Sequence, residues 1–143
     1  MRKAGRAAIV GLSIMLGVLV PGVANATPPS GVTGTIISTT IVGNTEYIVR
    51  QITIAPGGST GWHYHDGTLY AFVQEGTLTH TESDCTTVMS YRTGSAFEEV
   101  PGANHVHIGR NLGTTPVILD VLYVLPNGAP LSEDAPNPGC SFQ

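Results

Sequence analysis

After residue 26 no stretch repeats its apolar residues at helical spacing. Runs rich in Val, Ile and Thr recur instead, each cut off by Gly or Pro within about ten residues. A chain punctuated this way builds short strands, and strands alone must close into a sandwich or barrel to bury one face. The expected strands are Val32 to Thr40, Glu46 to Ile54, one through His63 to His65, Thr68 to Gln74, Thr77 to Thr81, Thr86 to Tyr91, Ala96 to Val100, His105 to Ile108 and Val117 to Leu125. Turn signals separate them: Gly43-Asn44, Ala55 to Ser59, Glu75-Gly76, Arg92-Thr93-Gly94 and Pro101-Gly102. In the second run Ile48, Arg50, Ile52 and Ile54 alternate with Tyr47, Val49, Gln51 and Thr53, which predicts a half-buried strand. Val117 to Leu125 is the longest apolar run, broken only by Asp120, and is expected to be buried. Pro126, Pro130, Pro136 and Pro138 argue against regular structure beyond it, so 126–143 reads as a surface tail.

Residues 1–26 read as a signal peptide. Arg2, Lys3 and Arg6 precede an apolar run from Ala7 to Val20, Pro21-Gly22 breaks it, and Ala24-Asn25-Ala26 is a small-x-small site for cleavage after Ala26. No cysteine follows, which argues against a lipid anchor. The expectation is a secreted domain over 27–143, its barrel at about 32–125, with no membrane attachment after cleavage. Three of the six basic residues fall in the leader. Arg50, Arg92 and Arg110 then face ten acidic residues, a formal net charge of −7. That balance excludes nucleic acid and anionic membranes as partners, since both need clustered basic charge. Cys85 and Cys140 are the only cysteines, and an even count in an oxidising compartment favours a disulfide over free thiols or a thiolate metal ligand.

Chemistry concentrates in the histidines. Four of five lie in two H-x-H pairs, His63-Tyr64-His65 and His105-Val106-His107; the fifth is His80. Side chains two apart on a strand share a face, so each pair presents two imidazoles together. A fold that joins the pairs makes a divalent-metal site for Zn, Fe, Mn or Ni. The alternative is that the histidines line a barrel and hold nothing. His80 is in phase with Leu78 and should point inward. Trp62, by alternation, should point away from His63.

These residues resemble those of the cupin family. Its first motif, G-x5-H-x-H-x3,4-E-x6-G, is matched by Gly57, His63, His65 and Gly76. Its second, G-x5-P-x-G-x2-H-x3-N, is matched by Gly94, His107 and Asn111, although Gly94 to His105 also has the family spacing. Gly61-Trp62-His63 and Pro138-Gly139-Cys140 are similar to the start and end of small exported single-domain cupins. The resemblance implies an all-β, double-stranded β-helix (a jelly-roll barrel), with a divalent metal held by His63, His65 and His107. It leaves His105, His80 and Tyr70 as further ligands or outer contacts. It also suggests a homodimer. At the family glutamate the chain has Leu69 and Tyr70, so no carboxylate ligand is expected and a bound ion would keep its full charge.

Phe72, Leu78, Val88 and Met89 are expected to wall a pocket for a small molecule. Two functions fit: a metal-dependent oxygenase or isomerase, or a non-catalytic protein that captures a small ligand or a metal. A serine hydrolase is excluded because Ser59 and Ser90 lack a G-x-S-x-G setting. Glu98 and Glu99, being adjacent, should face opposite sides of a strand and cannot act as an acid/base pair.

Overall fold

The structure is a computed structural model that describes residues 26–143. The proposed leader and its cleavage therefore lie outside the described residues, except for Ala26 itself, which bridges Pro136. The strands are β1 (Ser30–Val42), β2 (Thr45–Ser59), β3 (His63–Tyr64), β4 (Thr68–Glu75), β5 (Thr77–Glu82), β6 (Val88–Arg92), β7 (Ala96–Glu99), β8 (His107–Arg110), β9 (Val117–Pro126) and β10 (Glu133–Asp134). All pairings are antiparallel, and no helix occurs among the described residues.

The ten strands form one sheet, folded at β2 into two halves, β1-β2-β9-β4-β7 and β10-β3-β8-β5-β6, joined where β2 also pairs with β8. Thr45 to Ile54 of β2 pair with β9, and its far end crosses over, where Ser59 meets Arg110 of β8. The turn expected at Ala55 to Ser59 is instead the bent end of this strand. Gly57 donates to the Asn111 carbonyl, and Asn111 donates back to Gly58, so pairing continues through the Pro-Gly-Gly segment.

The first half supplies most of the core: Ile48 and Ile54 from β2, Leu69, Ala71 and Val73 from β4, and Val117, Leu119, Val121, Tyr123 and Leu125 from β9. Strict alternation explains Asp120 in an apolar run. It points outward, where Gln51 and Gln74 donate to its two oxygens at 3.1 and 2.5 Å. β1 covers one edge but keeps Ile36, Ile37, Ile41 and Val42 exposed.

The Pro-rich tail is more ordered than its composition implies. β10 pairs with β3, and Thr27 and Ala135 are hydrogen-bonded. Cys85 and Cys140 form a disulfide across 55 residues of chain. Trp62 does point away from His63 and is fully buried, packed against Ile108 of β8 and against Ala135, Cys140 and Phe142 of the tail.

Asn111 joins the two halves. It is buried, its amide donates to Ile54 and Thr115 carbonyls at 2.9 and 2.8 Å, and its oxygen accepts from Gly113. Asn111→Ala leaves the buried Ile54 carbonyl and the part-buried Thr115 carbonyl without this donor. Denaturant unfolding should show a loss of about 2–3 kcal/mol, because the unmet groups rather than the lost bonds dominate.

Candidate metal centre

Three imidazoles meet between the two halves. His63 of β3 lies directly opposite His107 of β8, and His65 follows one pleat on. Ring centroids are 4.5 Å apart for His63 and His107, 4.9 Å for His63 and His65, and 5.4 Å for His65 and His107. One ring nitrogen from each lies within 4.8 Å of the others. All three side chains are buried.

Their orientation is set by the backbone. Nδ1 of His63 donates to the Gly61 carbonyl at 2.9 Å, that of His65 to Leu131 at 2.7 Å, and that of His107 to His105 at 2.9 Å. A carbonyl only accepts, so each Nδ1 carries the proton and each Nε2 turns a lone pair inward. Gly61 makes this possible for His63. Its φ is +71°, and a Cβ there would collide with the Thr27 carbonyl.

The carboxylate missing from β4 arrives on another strand. Glu99 of β7 pairs in register with Leu69, the position where the family pattern has its glutamate. Its Oε2 lies 3.1 Å from His65 Nε2 and 3.4 Å from His107 Nε2; its Oε1 lies 3.3 Å from His80 Nε2. The expectation of a centre without a carboxylate is therefore wrong, because a neighbouring strand reaches the same place. Glu98 faces outward, as alternation requires.

His80 points inward and stacks on His107 at 4.7 Å. It forms a second group with Glu99 and His107 whose ligand atoms also lie within 4.8 Å of one another. His105 sits outside the cluster, its Nε2 3.4 Å from Glu82 Oε1. The structure thus places His107, and not His105, beside His63 and His65.

Several expected site residues are elsewhere. Tyr70 and Phe72 are 49% and 40% exposed, because the inward row of β4 is Leu69, Ala71 and Val73. Val88 is 52% exposed, and Met89 is partly buried without lining the cavity. Of the four expected wall residues, only Leu78 lines it. The actual walls are the inward rows of β2, β4 and β9, with Phe97 from β7. The space beside the histidines is about 50 Å³, and a wider mouth of about 400 Å³, lined also by Arg50, shares His63, His65 and Tyr123 with it.

The electrostatics follow from burial. Burial lowers the His63 pKa to about 3, helped by repulsion from His107 and His65. Burial works against charge on His107 too, but Glu99 outweighs it and raises that pKa. Burial likewise opposes ionisation of Glu99, yet its imidazole partners, His107 first, hold its pKa well below the usual range. Burial raises the Tyr123 phenol, opposed by Arg50 beside it.

Metal-free protein should therefore be acid-labile. His63 stays neutral when folded and is protonated when unfolded, so its contribution is lost as pH falls from 6.5 toward 3. Glu99 adds a further loss as pH falls below 4.5. The contribution of His107 is complete below 6.5 and fades as pH rises through its raised value. Melting temperature should peak near neutrality, and His63→Asn should flatten the limb between 6.5 and 4.5. An unchanged limb in that variant would assign the acid lability to other groups.

A search of protein-family models matches the cupin domain over residues 50–125, more than half of the chain. The chain belongs to the cupin family. No curated protein matches this cupin in sequence. Among solved structures it is similar to the polyketide cyclase RemF from Streptomyces resistomycificus, at 17% identity and a TM-score of 0.60, over 87% of this chain and 90% of that one. It is also similar to an uncharacterised double-stranded β-helix protein from Klebsiella pneumoniae, at 22% identity and 0.55, over 76% and 84%. A third likeness is to KdgF from Halomonas sp., at 14% identity and 0.53, over 68% and 82%. At such identities the likeness establishes the double-stranded β-helix fold alone.

The donor set of this cupin suits a divalent ion. Nε2 of His65 and of His107 are buried without a hydrogen-bond partner, and both face the Glu99 carboxylate. Lone pairs aimed at a carboxylate repel unless a proton or a metal ion lies among them. Three imidazoles and one carboxylate fit Zn, Fe, Mn or Ni, and the neutral Nδ1–H tautomer is the one a metal-binding histidine adopts.

Proposed function

We propose that this cupin is an exported metal-dependent enzyme that acts on a small oxygenated molecule, as an oxygenase or an isomerase. His63, His65, His107 and Glu99 would hold the ion. The supporting observation is the convergence of three backbone-oriented imidazoles, two of which, His65 and His107, turn Nε2 to the Glu99 carboxylate, at the inner end of an open mouth. A bound ion would supply Lewis acidity toward an oxygen of the substrate, or a redox centre if it is iron. The chain's own part is to fix the imidazoles through carbonyl hydrogen bonds and to exclude bulk water with Leu69, Leu78, Phe97 and Leu119. Glu99 would reduce the net charge of the loaded centre. His80, on the far side of Glu99, would orient that carboxylate through Oε1.

Elemental analysis of protein purified without a histidine tag tests the metal. About one ion per chain is expected. A content near zero, with no uptake of Zn, Ni, Fe or Mn, removes the proposal. Oxygen uptake by the Fe(II)-loaded protein with small phenols and diketones, and isomer formation followed by NMR, test turnover. Ligand-dependent melting shifts with no turnover would favour the non-catalytic binding role. Export is tested by mass spectrometry of secreted protein, where Thr27 should be the first residue.

A further inference from the structure

The mouth contains a cation that the metal centre does not use. Arg50 lies on the inward row of β2 between Ile48 and Ile52, with Ile54 beyond; Glu46, at the start of the row, accepts from Gly128 instead. An arginine seldom turns toward a core without a charged partner. Among the described residues no Asp or Glu lies within ion-pair distance of it. The mouth that it lines contains no acidic side chain; its other polar groups are Thr60, Ser132, Tyr123 and the two imidazoles.

The guanidinium is also held in place. It lies across Gly34 of β1, where a Cβ would collide with Nε, Cζ and Nη2. The φ of Gly34 lies outside the left-handed range, so glycine there supplies space rather than a backbone conformation. On the inner side the Tyr123 hydroxyl stands beside Arg50, and the Tyr123 ring lies 6.1 Å from that of His65. The remaining lining is apolar: Pro29, Val32, Ile52 and Leu131.

We propose that Arg50, with the Tyr123 hydroxyl, binds a carboxylate, and that the molecule admitted to the centre is a small organic acid with an apolar body. A planar guanidinium fork matches a carboxylate through two parallel hydrogen bonds. One cation balances a single negative charge, which favours a carboxylate over a phosphate dianion. The mouth's volume of about 400 Å³ lies in the range of small-molecule sites. Arg50 and the histidines line the same space, so an acid anchored on Arg50 has its apolar body directed along the wall toward His63 and His65. This assignment rests on reading the histidine cluster as the reaction centre, but the carboxylate site itself does not require a bound ion.

Calorimetric titration of benzoate, phenylacetate and isovalerate, each beside its amide, into metal-free and zinc-loaded protein tests it. At least one acid should bind about tenfold or more tightly than its amide, as expected for a hydrogen bond to a charged group. Arg50→Gln should abolish that preference while leaving zinc uptake intact, and Arg50→Lys should restore only part of it. Gly34→Ala, which displaces the guanidinium without removing it, should weaken the acids and spare the amides. Equal binding of acid and amide, no acid binding at millimolar concentration, or an undiminished preference in Arg50→Gln overturns the proposal. If Arg50→Gln does not fold, the acid preference of wild type and its loss in Gly34→Ala decide. Failure of zinc uptake with the acid preference intact would refute the metal centre and leave this site standing.

Discussion

His107→Ala should abolish tight metal binding, whereas His105→Ala should not. The two residues are two positions apart, yet only His107 has its Nε2 among those of His63 and His65. Loss of a direct ligand should weaken zinc by more than the 10–100-fold that an outer partner is worth, roughly a hundredfold or greater by competition with a chromogenic chelator. The His105 side chain meets Glu82 and lies 5.0 Å from the His107 ring, and the backbone carbonyl that accepts from His107 survives the substitution, so removal of the side chain should cost about tenfold or less. Glu99→Gln separates the carboxylate from the imidazoles. It keeps the shape, removes the charge that raises the pKa of His107, and should weaken zinc even though three histidines remain. Equal zinc affinity in wild type and His107→Ala would place the ion elsewhere or nowhere. Equal affinity in Glu99→Gln would show that the carboxylate is a hydrogen-bond partner and not a ligand.

The second large effect is on stability. Trp62→Ala should lower the unfolding free energy by about 3–5 kcal/mol, the range for removing a buried aromatic. Trp62 is completely buried, its ring lies 6.1 Å from that of Phe142, and Phe142 in turn carries the Arg110 guanidinium 3.7 Å above its centroid. The cavity would open beneath a tail fastened by the disulfide, which limits collapse. Against a total stability of about 5–15 kcal/mol, this is a large fraction. Trp62→Phe should cost less, because the indole Nε1 is buried without a partner and its removal relieves that penalty. Guanidinium unfolding with the disulfide intact is the measurement. A loss below about 1 kcal/mol for alanine would mean that the tail does not pack on Trp62 in solution.

Reduction of the Cys85–Cys140 bond bears on the same cluster. The chain-entropy relation assigns about 4 kcal/mol to a loop of this length. Cys140 packs beside Trp62 and Phe142, so part of the loss on reduction should vanish in the Trp62→Ala background.

Much of the architecture was legible because strand periodicity is local. Alternation along 46–54 placed Ile48 and Ile54 in the core, and the spacing of His63 and His65 brought both imidazoles to the centre, whereas His105 lies ahead of β8 and outside the cluster. The opposite directions of Trp62 and His63 follow from the same rule. Composition misled in two places. Pro56, Gly57 and Gly58 read as a turn but form a bent strand end, and the Pro-rich tail contributes a short strand and the lid over Trp62.

Which face of a strand turns inward is a different matter. Tyr70 and Phe72 alternate with Leu69, Ala71 and Val73, and both rows are apolar enough to be core. Only closure of the two halves decides between them, and it sends the aromatic pair outward. Glu99 belongs to the same category. Nothing near it in sequence marks it as part of the centre, since it follows another glutamate on a four-residue strand. It reaches the histidines because β7 pairs with β4 and sets it opposite Leu69. Local spacing therefore determined the His63–His65 pair, while long-range strand pairing decided His107, the carboxylate and the cation that face them. A side chain's row is a property of its own strand, and its partners are a property of the strands beside it.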